Sequence, residues 1–501
     1  MKNICPLLLA ATLLCPPLSL HAISPTFGNI NVIQNTNENN PAAVTATLSY
    51  SQAALSADGT TSLGTINMRS GSNRGDVLLS FTDTSANDRS LGIMISNVAQ
   101  LARDNSATGD PEGSYFATSA TTNDANGYFI NVQAVTSTGP EFNANLAAAW
   151  FPYADGWIGG HAINSVNGGP LTSLVGSPGL TLSTTTPGSN VLYDGTTNGV
   201  YELNLAGINS QTDGILIVSG GKNEDNYAMS KANADGTWTI QVRDNFSGSG
   251  TEPDGLAFVY IPQSSAVSGD EPGVHAMGRL NGNLSRDISA GDYAVVRSST
   301  GRYQLYAPGI DPALATLLLS PEAAGVGGDN IWFYEPSSKG WNMEYRDLSE
   351  LGLQDNTSTE DTLSFVLMAG ANTSAIWDNE AGDSQWGTQS NWKSNNTPGA
   401  SQDVILGASN NVAIDSPQSA GMVFINRDTA FSLTGSGSLS LSTGLIVNSK
   451  PSSSQTYTIS VPLILTEDAF IIAQTIGSSI TLRLDVASGN AVTAVDKNLT
   501  L

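Results

Sequence analysis

The chain is 501 residues long and carries 44 acidic against 19 basic side chains, a net charge of −25 although only 13% of its residues are charged. Scarce Lys and Arg, rather than acidic tracts, set that balance. A surface of this sign repels phosphate backbones and anionic lipid, so nucleic acid is excluded as an expected partner. With 51 Gly and abundant Ser, Thr and Asn, the composition speaks for turns and β-branched strands. No apolar stripe at helical spacing is sustained over three turns; the nearest, Asp311 to Leu319, is short and begins with Pro312. Alternation punctuated by turn residues about every ten positions predicts an all-β chain.

Residues 1–22 have the layout of a secretory signal peptide: Lys2, an apolar run through Leu7, Leu8, Leu9, Leu13 and Leu14, and a small residue, Ala22, at the cut. The run is too short to span a bilayer, so no transmembrane helix is expected in a mature chain beginning near Ile23. Cys15 follows Leu14 where lipoprotein attachment would require a small residue. Both cysteines, Cys5 and Cys15, fall inside this segment, and the mature chain has none. A large exported protein without cysteine fits a bacterial source and an extracellular or cell-surface location.

After an N-terminal segment, 23–63, the chain repeats itself. The second unit, 157–262, runs Tyr201 and Leu203, Gly214 to Val218, Asp225-Asn226, Trp238 to Arg243-Asp244, and Leu256 to Val259. The third, 272–369, runs Tyr303 and Leu305, Thr316 to Leu319, Asp329-Asn330, Trp341 to Arg346-Asp347, and Leu363 to Val366. The first, 64–153, is diverged: Leu91 to Ile95, Asp104-Asn105, Tyr128 in the tryptophan position, and a closing strand from Leu146 to Phe151. Gly160-His161-Ala162 and Val274-His275-Ala276 align as equivalent openings of the later two units. In each aromatic strand one face is apolar (Trp238, Ile240, Val242; Trp341, Met343, Tyr345) and the other polar, the pattern of a sandwich layer. Three tandem β-sandwich or jelly-roll-like units are therefore expected.

From 375 to 501 the pattern changes to two- or three-residue alternations divided by Gly, Ser and Asn, as in Phe431-Ser-Leu433, Leu445-Ile-Val447 and Tyr457-Thr-Ile459. Such lines predict a right-handed β-solenoid, in which stacked coils join a few aliphatics each into one core. The Trp386 to Asn391-Trp392 run, then Pro398 and Asp403-Val404, followed by Ser/Gly/Leu lines, resembles the autotransporter-associated β-strand repeats of bacterial surface and secreted proteins. That resemblance implies surface display on a β-helical stalk and no particular reaction. The chain stops at Leu501 within a strand line, which leads us to expect a truncated solenoid.

No catalytic residue is singled out. His161 and His275 occupy repeated positions, which favours a structural role over catalysis. The chain lacks the serine elbow, zinc-protease, P-loop and Cys-x-x-Cys motifs. Dispersed carboxylates leave glycoside cleavage open. The Asp-Asn pairs (104–105, 225–226, 329–330) read as Asx turns, with calcium as the alternative. The turn reading is preferred, so no cofactor is expected: Lys222 and Glu224 flank one pair and Gly327 and Gly328 another, where a shared cage would keep its acids. Arg243-Asp244 and Arg346-Asp347 read as exposed cross-strand pairs. Trp238 and Trp341 read as core residues rather than sugar platforms. Three functions follow in order: a non-enzymatic structural or adhesion protein, a carbohydrate-binding array facing an extracellular glycan, and a polysaccharide-acting enzyme.

Overall fold

A computed structural model describes residues 25–33, 45–49, 64–68, 76–81, 88–99, 101, 115–121 and 128–134. From 145 onward it describes all but 166–168, 196–198, 222–225, 245–250, 268–270, 282–283, 285, 323–329, 348–352, 354–361, 450–451, 476–478, 495–496 and 501. Within these residues the protein is all-β, and about five turns of β-solenoid occupy its C-terminal part, 375–494.

The first unit contains β1 (Thr26–Ile33), β2 (Thr45–Ser49), β3 (Gly64–Met68), β4 (Asp76–Phe81), β5 (Gly92–Val98), β6 (Tyr115–Thr121), β7 (Tyr128–Ala134) and β8 (Leu146–Pro152). Two antiparallel sheets form, ordered β2-β1-β8-β5 and β3-β4-β7-β6. The strands described within 23–63 pair with the first unit: β1 runs along β8, with Phe27 opposite Ala149.

The second unit contains β9 (Ile158–Asn164), β10 (Leu171–Gly176), β11 (Thr181–Ser183), β12 (Val191–Tyr193), β13 (Val200–Asn204), β14 (Gly214–Gly220), β15 (Asn226–Ala232), β16 (Trp238–Asp244) and β17 (Leu256–Pro262). Its sheets run β10-β9-β17-β14 and β12-β13-β16-β15, with β11 added at the edge. The third contains β18 (Gly273–Leu280), β19 (Arg286–Gly291), β20 (Ala294–Ser299), β21 (Arg302–Tyr306), β22 (Thr316–Glu322), β23 (Asn330–Ser337), β24 (Gly340–Asp347) and β25 (Thr362–Ala369). Its order is β19-β18-β25-β22 and β20-β21-β24-β23, and a bridge between Ser230 of β15 and Glu322 of β22 joins the first of these to the second unit's sheet. All three units share one strand order.

In the second unit, Trp238, Ile240 and Val242 on one sheet meet Leu216, Val218, Leu256 and Phe258 on the other. This is the dry interior the aromatic strand's alternation predicts, with Thr239 and Gln241 half-buried on the other side. The sheet that carries the closing strand departs from that pattern. Every residue of β8 and of β14 is buried, which a strand achieves only when both of its faces are covered.

The second cover is the other units. Ile93, Ile95, Ala149 and Phe151 join Ile215, Ile217, Val259 and Ile261, and Leu318, Val366 and Met368, in one apolar core. The contacts close in a ring: β5 packs on β17, β14 on β25, and β22 on β8. These are equivalent pairs, because β5, β14 and β22 hold one place in the repeat and β8, β17 and β25 another. The three sandwiches are therefore arranged about a pseudo-threefold axis, the closed symmetry typical of a trimer but built into one chain. Burying an aliphatic side chain of this size is worth about 1.5–3 kcal/mol, so the axis is a main source of cohesion.

The solenoid stacks its coils in parallel register. Ala375, Val404, Val423, Leu445 and Ile471 follow one another inward on one sheet. Val412, Leu433, Ile459 and Leu484 do so on the other. Its first coil is closed by tryptophans: Trp392 lies edge-on to Trp377 and to Trp386, 4.9 Å between centroids in each case. Asn391, fully buried, ties that cap to Gln385 O and accepts from Ala381 N–H. The outward row Ile405, Phe424 and Ile446 is apolar too, and packs with Phe470 on Ala294 and Tyr306 of the third unit.

Candidate functional site

The histidines are not equivalent. By register, His161 lies opposite Ala257, and the residue holding that place in the third unit is Arg279, opposite Ser364. His275 instead sits where β18 bulges, between Val274 and Ala276, so the shared Gly/Val-His-Ala letters align two different positions. Both rings are buried. The His161 Nε2–H donates to Gly221 O at 3.3 Å, and burial, aided by the Arg89 charge, brings its pKa down to about 4. Burial also lowers the pKa of His275. Neutral, enclosed imidazoles of this kind pack the joints between strands. Arg279, in the matched place, reaches into the second unit, donating to Ser210 O at 2.7 Å and Gln211 O at 3.3 Å.

Trp238 and Trp341 are fully buried, as their alternation with Ile240 and Met343 predicts. The arginine pairs differ from expectation. Arg243 is buried rather than exposed and bonds Gln241 two residues back on its own strand. Arg346 likewise pairs with Glu344 at 2.9 Å, and Arg302 joins that carboxylate from the neighbouring strand at 3.2 Å. Of the Asp-Asn pairs, Asp104, Asn105, Asp225 and Asp329 lie outside the described residues. Asn226 and Asn330 are the first residues of β15 and β23, opposite Asp244 and Asp347, and so belong to strands rather than turns.

Asn226 belongs to a buried polar group at one end of the second sandwich. Its Nδ2 donates to Asp254 Oδ2, Asn164 Nδ2 donates to Asp254 Oδ1 at 2.5 Å and to Pro253 O at 3.1 Å, and Tyr201 OH donates to Asp254 O at 3.0 Å. Asp254 is 1% exposed. A second carboxylate, Asp194, stands close enough to act with Asp254 on the Tyr201 hydroxyl, whose pKa is driven up chiefly by burial. The spacing of the repeat held a signal for this group: Asp254 and Asp361 both stand two residues before the leucine that opens the closing strand.

A second polar group joins the third unit to the solenoid. Arg286, buried, lies 4.2 Å over the Tyr293 ring. It donates to Tyr293 O at 3.2 Å and to the side chains of Asn448 and Gln474 at 3.0 Å each. A cleft of about 270 Å³ opens beside it, lined by Asp287, Gly291, Asn426, Asp428 and Asn448 among others. Among the described residues no three His, Cys, Asp or Glu side chains gather to hold a metal ion. No helix among them is long and apolar enough to cross a membrane.

No family model, curated protein or solved structure matches this chain.

Proposed function

We propose that the chain is a non-enzymatic structural or adhesion-type protein of bacterial origin, exported through residues 1–22 and working at the cell surface or outside the cell. One observation carries the reading: the ring of three sandwiches and the solenoid share a buried joint. The apolar row Ile405, Phe424 and Ile446 lies on Tyr306 there, and Arg286 bonds Asn448 and Gln474 across the same seam. A head rigidly fixed to a stacked shaft suits holding and presenting a surface, and the solenoid's resemblance to autotransporter-associated repeats agrees with display. The partner class is an extracellular glycan or another cell-surface component. Trp238 and Trp341, the sugar platforms a glycan array would use, are enclosed, so an array reading finds no support in them.

The test is to follow the chain in its producing cell. Exported material should begin near Ile23 and be reachable by antibody on intact cells, and the purified chain should release no reducing ends from assorted polysaccharides. Material retaining Met1 to Ala22 in the cytoplasm, or steady polysaccharide turnover, would overturn the proposal.

A further inference from the structure

The geometry points to a hard-cation site, calcium being the natural occupant, at Asp254 between Asn164 and Asn226 in the second sandwich. Asn164 and Asn226 are 6% and 3% exposed, and the Oδ1 of each is buried without a hydrogen-bond partner. Buried carbonyl oxygens left unmade are rare in folded chains and costly to keep. Two such oxygens on neighbouring amides, both turned against one carboxylate, form a single problem.

An asparagine amide can present either its NH₂ or its oxygen by a half turn about its last bond. With the NH₂ groups toward Asp254, both oxygens are orphaned. With the oxygens toward it, they face the Asp254 carboxylate, and Asn164 also faces Pro253 O, an all-oxygen arrangement that repels itself. A cation among them resolves both conflicts at once. Asp254 Oδ1 and Oδ2, Asn164 Oδ1, Asn226 Oδ1 and Pro253 O then supply five of the six to eight oxygens that calcium takes, and water completes the shell. Asp194 adds negative potential at the same end of the sandwich.

The amino acids flanking Asp225 and Asp329, which argued against a metal cage, are not the ligands in this arrangement. In the sequence repeat the matching positions of the third unit hold Asn330, Asp361 and, in the place of Asn164, Gly282. One amide ligand is lost there, so one tight site per chain is expected, in the second unit.

The experiment uses the full chain in calcium and in chelator at matched ionic strength, by thermal melting and by calorimetric titration with calcium chloride. Calcium should raise the melting temperature by several degrees through selective binding to the folded state, with one equivalent bound, and Asp254→Asn should abolish both effects. Asn164→Asp is the second variant, informative even where Asp254→Asn fails to fold. It adds a charged ligand, so it should bind calcium more tightly than the parent and be destabilised only in chelator. Equal melting of the parent in calcium and chelator, or an Asn164→Asp chain destabilised alike in both, would overturn the site.

Discussion

The backbone N–H of Leu319 donates to the Asn97 side-chain oxygen at 3.0 Å, tying the third unit to the first across 222 positions of chain. The equivalent bond runs from Val218 N–H to the Ser320 hydroxyl at 3.2 Å, tying the second unit to the third. Val218 and Leu319 hold the same register place, opposite Phe258 and Phe365, and Asn97 and Ser320 hold another, opposite Ala147 and Ser364. The third link of the ring would end on Ser219, whose hydroxyl is buried without a partner, beside a cavity of about 50 Å³ at the axis. Asn97→Ala leaves the Leu319 N–H unmade and should cost about 1–3 kcal/mol. Asn97→Ser, the residue of the other two units, should cost less. Urea denaturation of the two variants checks the order.

The axis itself is testable through Ile217, fully buried between units rather than within one. Were the sandwiches independent beads, Ile217→Ala would be a mild surface change and each unit would melt alone. In the ring it opens a cavity in a shared core and should cost about 2–5 kcal/mol, similar to Ile240→Ala inside the second sandwich. Calorimetry should show the three units unfolding in one transition, with the same downward shift for both variants.

What the sequence discloses follows from how local each interaction is. Alternation in Trp238 to Val242 announces a sandwich interior because neighbouring side chains on one strand suffice to show it. The ring was also written locally, in the uninterrupted apolar run of Leu256–Pro262, and the joint to the solenoid in Ile405, Phe424 and Ile446, since a strand without a polar face must be covered twice. Which surface does the covering is another matter. It depends on docking between residues more than a hundred positions apart, as with Arg286 and Asn448, and no spacing rule reaches that far. The histidines show the opposite failure. Their flanking letters agree, but the bulge at His275 breaks the register that letters alone cannot show. Asp254 is marked in the sequence only by its repeated place before the closing strand, because it meets its amide partners Asn164 and Asn226 from 90 and 28 positions away.

Stability should fall in mild acid, and His161 is one reason. Its folded pKa, about 4, lies below the value near 6.5 of an unfolded chain. Protons therefore bind the unfolded form first, and the stability present above pH 6.5 is lost as pH falls through the window from 6.5 to about 4. The full loss is on the order of 3 kcal/mol. His275 shifts in the same direction, so the contribution is isolated by comparison: His161→Gln should flatten part of the decline between pH 7 and 4.5 in chemical denaturation, and leave the remainder.

The tryptophan cap of the solenoid makes a sharper local claim. Trp392 stacks edge-on against both Trp377 and Trp386 and donates through its indole N–H to Trp386 O at 2.8 Å. Trp392→Ala removes the keystone and should cost about 3–5 kcal/mol, unravelling the first coil. Trp392→Phe keeps most of the apolar volume, loses the N–H, and should cost less than half as much. Near-ultraviolet circular dichroism follows the cap directly, because coupled indoles give it a strong signal.

Arg286 decides whether head and shaft move as one body. Its guanidinium satisfies Tyr293 O, Asn448 and Gln474 together, while the Asn448 amide donates to Tyr293 O at 3.1 Å, closing the network. Arg286→Ala strands several buried acceptors, at a cost of on the order of 3 kcal/mol. All three bonds leave from Nη2, and Arg286→Lys keeps the charge but puts its ammonium on a shorter, differently directed stem, so it should rescue only partly. Because the loss falls on the seam, the expected symptom is undocking rather than global unfolding. Limited proteolysis should cut between Ala369 and Ala375 in Arg286→Ala far faster than in the parent, releasing a solenoid fragment. Unchanged cleavage there, together with a lowered melting temperature for the whole chain, would place the role of Arg286 inside the third sandwich instead of at the joint.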